Sequence, residues 1–338
     1  IRYSGKPAAF LRAFKAGYFS ILYNFIVMGW VINAMASVVS VMLNMDKWTA
    51  VWLCVFIALV YAILSGFWGV VVTDLVQFCI AMFGSIALAI IALDHVGGMD
   101  NLLLKLSQLM GSDAVNENTL KFIPPVPDAA YNTSTFWESP FSKFLIFITV
   151  MWWSHHGTDG GGYIIQRMSS AKNERHALLA TLWFNLAHYA FRVWPWIIVA
   201  VVSIVMFPMI PASYSELGVK AGYPLVMNSL LGPGLKGILI VSFLAAFMST
   251  IDTHLNWGAS YLINDVYKRF FKPNESEKHY VFIGKIITVV LMILAAFTAL
   301  KMQSISKAWE FIFSMGAGIG LVLILRWFWW RINAWSEI

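Results

Sequence analysis

The sequence predicts an all-α membrane protein of about eight transmembrane helices, and three observations carry that reading. Of its 338 residues, 59% are hydrophobic and only 12% charged, where soluble domains carry roughly 25% charge. The mean hydropathy is +0.72, with 16 Trp and 25 Phe in the chain. Eight segments are apolar over about the 20 residues that cross a hydrocarbon core roughly 30 Å thick. A soluble fold of this length has too little interior to hide so much apolar surface. Composition therefore excludes a soluble enzyme, a disordered tail and a secreted disulfide scaffold.

The segments, in order, are 17–43, 48–66, 68–93, 141–165, 177–207, 236–263, 280–300 and 308–330. Unsatisfied backbone amides are too costly in lipid for open strands, so each is expected as a helix. The first follows the basic residues Arg2, Lys6, Arg12 and Lys15, and the second ends in Ser65-Gly66, whose glycine with Gly69 makes a tight turn into the third. A long connection follows, with a stiff Pro124-Pro125-Val126-Pro127 and a stretch at 101–110 expected as a short surface helix. The fourth segment is weakened by Gly157 and Gly160-Gly161-Gly162. The fifth carries Arg192 near His188 and Asn185, an intramembrane charge expected to pair with an acid elsewhere. Residues 208–235 are rich in Pro and Gly, and the sixth to eighth segments follow with short connections. All of 1–338 reads as one transmembrane domain.

Lysine and arginine are densest at the N-terminal segment, at Arg167, Lys172 and Arg175, at Lys268, Arg269, Lys272 and Lys278, and at Arg326 and Arg331. That density places the N-terminus of the chain on the cytoplasmic side of a cell membrane. It also accounts for the net charge of +6 without a nucleic-acid partner. Cys54 and Cys79 lie within apolar runs, which supports neither a disulfide nor a thiol metal site. The opening Ile1-Arg2-Tyr3-Ser4-Gly5-Lys6 reads as mid-protein text, and the chain is expected to be a fragment.

Polar residues at membrane depth are expensive and point to function. In the sixth segment Ser249, Thr250, Asp252, Thr253, His254 and Asn256 fall within about two turns. Ser249 and Thr250 point about 100° apart around a helix, and with the Ala246 carbonyl they form a candidate small-cation site. The competing reading is that these hydroxyls bond to their own helix or glue helices together. At the end of the fourth segment, Ser154, His155, His156, Gly157 and Asp159 surround the weak point. Helices broken at mid-membrane free backbone groups to hold substrate; the alternative is a helix that simply ends there. A His155/His156/Asp159 metal site is disfavoured because adjacent histidines splay apart on a helix. Asp74 shares a face with Thr73 and Gln77, either to stabilise a departing cation or as a helix-start carboxylate favoured by the macrodipole.

The run Tyr61–Gln77, with its glycine turn followed by Thr73-Asp74 and Gln77, resembles a pattern of the sodium/solute symporter family. So do Tyr163-Ile164-Ile165-Gln166-Arg167 and the stretch from Ala245-Ala246-Phe247-Met248-Ser249-Thr250 to Asn264-Asp265. The resemblance implies a leucine-transporter-type core of ten helices in two inverted five-helix repeats, of which this chain supplies helices three to ten and lacks the first two. It implies a sodium site at Ala246, Ser249 and Thr250, a sodium-release role for Asp74, and a substrate region at Ser154, His155, His156, Gly157 and Asp159. The expected function is sodium-coupled symport of a small polar solute (sugar, sialic acid, amino acid or carboxylate), with sodium as coupling ion and no other cofactor. An intramembrane metal-dependent enzyme using His155, His156 and Asp159, or a transporter-like sensor domain, are the alternatives.

Overall fold

A computed structural model describes residues 3–64, 67–111, 123–126, 133–154, 158, 161–302 and 304–337. Among them the regular structure is entirely helical. Five helices are long and apolar enough to cross a membrane: α1 (Gly5–Leu43), α3 (Phe67–Val96), α8 (Glu174–Met206), α10 (Pro233–Phe271) and α11 (Glu277–Lys301). A sixth crossing is formed if α12 (Ile305–Gly316) and α13 (Ile319–Phe328), bent by 42° at their junction, act as one. Two expected spans, α2 (Lys47–Leu64) and α6 (Pro140–Met151), are apolar but shorter. Smaller helices complete the chain: α4 (Gly98–Met110), which is the surface helix expected over 101–110, α5 (Thr133–Glu138), α7 (Gly162–Ser169) and α9 (Gly222–Leu230).

Local chemistry sets the ends. Asn44 turns left-handed at φ 51° to close α1, a conformation Asn adopts more readily than most residues. Asp46 then caps α2, accepting from the Thr49 hydroxyl at 2.6 Å and its backbone N–H at 3.1 Å. Asn173, Ser276 and Ser304 cap α8, α11 and α12 in the same way, satisfying amides that a helix start leaves open. Within the fourth expected span, α6 continues through Trp152–Ser154, Thr158 lies in a turn, Gly161 is outside regular structure, and α7 starts at Gly162. The first expected span extends back to Gly5, because Lys6–Ala16 are good helix formers although too polar to count as membrane text.

The core lies where α1, α3, α10 and α11 meet, with Met28, Ile32, Leu88, Leu239, Ile251, Leu255, Leu291 and Met292 almost wholly buried. Small residues let α1 and α11 approach: Gly29 faces Thr298, and Ala295, Ala296 and Ala299 are buried beside it. Phe56, Phe83, Leu178, Ile197, Phe282 and Phe297 point outward. Such an apolar exterior is what a bilayer, not water, stabilises.

Candidate functional site

The middle of α10 presents its polar residues along two ridges, because residues four apart lie one above the other on a helix. Ser249 and Thr253 share one ridge; Ala246, Thr250 and His254 share the other. The first ridge faces α3 and α7. Ser249 Oγ donates to Asp74 Oδ1 in a short contact. Thr253 Oγ1 accepts from an Arg167 terminal nitrogen at 2.8 Å, and the same nitrogen lies 3.9 Å from Asp74 Oδ2. Asp74 and Arg167 are each about one-third exposed at the side chain. A carboxylate, a guanidinium and two hydroxyls thus meet between three helices, with the acid's charge offset by one cation.

On the second ridge, His254 faces α1. Thr250 Oγ1 donates to the Ala246 carbonyl at 3.0 Å, so these two expected cation ligands lie beside one another and the back-bonding alternative describes Thr250's present contact. One turn on, His254 Nδ1 lies 2.6 Å from Asn24 Oδ1, and Asn24 Nδ2 donates to the His254 carbonyl at 2.6 Å. Asp252, on the side of the first ridge away from the second, is buried.

In the fourth expected span, His155, His156, Gly157 and Asp159 lie outside the described residues. Ser154 lies within them, and its carbonyl accepts from the Gly318 amide at 3.0 Å. Gly318, at φ +89°, is the left-handed residue of the bend between α12 and α13. Thr158 Oγ1 donates to the Trp153 carbonyl at 2.6 Å. Trp153, Ser154 and Thr158 therefore sit against the bend between α12 and α13. The expected acid for Arg192 is not found among the described residues; the guanidinium lies 4.7 Å over the Trp196 ring instead, an attraction the ring quadrupole provides. Gln77 has a buried side-chain oxygen with no partner among the described residues, and the Thr73 side chain lies outside them.

The sequence reading missed Arg167 and Asn24 as members of this cluster. Arg167 looked like one more cytoplasmic-loop cation, although the short α7 that carries it is strongly amphipathic. Asn24 had a weaker signal, one of two amides, with Asn33, in an apolar run.

Residues 2–336 match the sodium:solute symporter family. The high-affinity proline transporter PutP of Bacillus subtilis (strain 168) is 26% identical over 348 residues, covering 99% of this chain and 65% of its own length. The osmoregulated proline transporter OpuE of the same organism is 25% identical, with 83% of this chain and 52% of its own covered. A sodium/glucose cotransporter of Vibrio parahaemolyticus is 24% identical, with 80% and 51% covered. Among solved structures, a Na+-coupled sialic acid symporter in a substrate-bound outward-open state matches with a TM-score of 0.70 at 19% identity, over 97% of this chain and 65% of that one. The chain thus spans about half to two-thirds of the length of these relatives, which are transporters and not enzymes.

Proposed function

The chain belongs to the sodium:solute symporter family, and from that premise we propose that it is part of a sodium-coupled symporter importing a small polar organic solute by alternating access. The observation that carries this reading is the meeting of Asp74, Ser249, Thr253 and Arg167 at one level of a membrane-crossing helix. Hard oxygen donors beside a carboxylate suit an alkali cation. In this reading Ala246, Ser249 and Thr250 supply sodium ligands and Asp74 receives the ion on its inward path. Arg167 holds the Asp74 charge when no sodium is near. Each charge moved inward gains roughly 2.3 kcal/mol per 100 mV of membrane potential, which drives uptake. The eight apolar segments are taken as helices three to ten of a ten-helix inverted-repeat core in the cell membrane, with the N-terminus of this chain cytoplasmic.

Ser154, His155, His156, Gly157 and Asp159 are the proposed substrate region; of these, Ser154 meets the bend of α12 and α13. Relatives that carry proline, glucose or sialic acid define the solutes to screen. The test uses the full-length protein in proteoliposomes. Thr250→Ala or Thr250→Val is expected to abolish sodium-dependent uptake; uptake that keeps an unchanged sodium dependence would sink the site assignment. The solute is found by a thermal-shift screen of sugars, sialic acids, amino acids and carboxylates, each with and without sodium.

A further inference from the structure

His254 and Asn24 are buried polar side chains that take no part in the proposed symport. Asn24 is fully buried and His254 is 8% exposed. The backbone carbonyl of residue 254 can only accept, so it fixes which end of the Asn24 amide is nitrogen. Asn24 Oδ1 can then only accept in turn, so the His254 ring must present Nδ1–H to it. The result is a two-point grip by one side chain on both the ring and the backbone of one α10 residue.

Two further features are built around that grip. Residues Tyr18–Tyr23 of α1 form a π-helical turn immediately before Asn24. Such a turn holds one extra residue and rotates the rest of its helix by about 100° relative to a regular one. Ser20 and Asn24 then both face Gly258, where an added methyl would overlap Asn24 Nδ2 and lie 3.1 Å from Leu291 Cδ1. Phe19, Tyr23 and His254 close the contact against Trp257, with ring centroids 6.1, 6.2 and 6.0 Å apart. The grip lies on the 246–250–254 ridge, one turn from Thr250. On the neighbouring ridge Ser249 and Thr253 are tied to Asp74 and Arg167. The rotation of this part of α10 about its axis is therefore set from three sides within six residues, and Asn24 is the constraint that acts on the ridge of Ala246 and Thr250.

We infer that Asn24 and His254 are positioning residues for the cation site: they touch no ion, but hold α10 at the rotation that turns the oxygens of residues 246 and 250 toward one. This rests on the sodium reading. The experiment measures thermal unfolding of the purified full-length protein against sodium chloride, with choline chloride keeping ionic strength constant. In the double variant Asn24→Leu/His254→Leu an apolar pair replaces the hydrogen-bonded one, an exchange that is close to neutral for folding because no polar group is left unpaired. Asn24→Asp keeps the shape and the acceptor while removing the donor to the carbonyl, and carries the test if the double variant does not fold.

Either change is expected to raise the half-stabilising sodium concentration about fivefold or more, the scale of a typical coupling between sites. Asn33 serves as control: it is fully buried on α1 and donates to the carbonyls of Ala299 and Met302 at 2.8 and 2.9 Å. Asn33→Leu is expected to lower the unfolding temperature without moving the sodium midpoint. An unmoved midpoint in both Asn24 variants, or an equal shift in Asn33→Leu, overturns the positioning role while leaving the sodium reading standing. A wild-type protein with no sodium response overturns the sodium reading itself, and this inference with it.

Discussion

Asp74 accepts from the Ser249 hydroxyl and faces Arg167, and the three groups respond differently to substitution. A hydrogen bond to a charged group contributes about 1.5–3 kcal/mol, against about 1 for a neutral pair. Asp74→Asn is therefore expected to lower the unfolding temperature and to raise the sodium concentration for half-maximal uptake, more strongly than Ser249→Ala does. Arg167→Gln is expected to move that sodium concentration the other way, because it removes the cation that competes for Asp74 and spares an amide for Thr253. Sodium-dependence curves for the three variants check both signs, and a rise with Arg167→Gln would remove Arg167 from the cation's electrostatics. Asp74, Ser249 and Thr250 were legible in the sequence because an acid and paired hydroxyls stand out in apolar text. Arg167 and Asn24 were not, since their partners lie 86 and 230 positions away and no local pattern links such residues. Arg192 was legible as an anomaly, but its ring partner Trp196 is simply the next residue on its own helix face.

At the scale of elements, the decisive contact is where the end of α6 meets the start of α13. A methyl at Gly320 would overlap the Trp153 carbonyl oxygen and come within 2.7 and 2.8 Å of Ser154 C and Thr158 Oγ1. Backbone cannot yield as a flexible side chain does, so Gly320→Ala should cost about 1–3 kcal/mol or more by overpacking. Gly237, inside α10, has open space where its methyl would go. Gly237→Ala should instead raise stability by about 0.5–1 kcal/mol through helix propensity. Paired unfolding temperatures in one detergent decide this, and a neutral Gly320→Ala would mean that α6 and α13 are not in contact. The long helices were legible because apolar runs of more than 20 residues admit little else. The non-helical Thr158 and Gly161 lie among glycines that the sequence offered as a weak point, and a glycine also marks the bend at Gly318. Helix starts were not: amphipathic turns such as Lys6–Ala16 extend a helix beyond the membrane text, and Ser4 before them makes no capping hydrogen bond with its side chain.

Across the whole molecule, α10 is the member against which α1, α3 and α7 all register their polar contacts. The two ends of the described chain are joined separately. Glu337, with its side chain 1% exposed, accepts from Lys15 in a short contact and from the Tyr3 hydroxyl at 2.6 Å, and lies 3.5 Å from Arg326. These residues, with Arg12 and Trp327, line a cavity of about 590 Å3 that involves none of the 246–254 segment. Burial pushes the Glu337 carboxyl up, but the hydrogen bonds from Lys15 and Tyr3 and the charges of Lys15 and Arg326 outweigh it and hold the group below its ordinary value. A carboxylate with a lowered folded pKa binds fewer protons folded than unfolded, so its contribution is complete above the ordinary glutamate range and is lost as pH falls through the lowered value. The unfolding temperature of the wild type should therefore exceed that of Glu337→Gln at neutral pH, and the gap should close as pH is taken from about 7 toward about 3. A gap that stays constant over that range would show that Glu337 acts through packing rather than charge. Comparing the sodium midpoints of the wild type and Glu337→Gln at neutral pH separates this tie from the α10 site, because losing the Glu337 charge is expected to lower stability without shifting that midpoint.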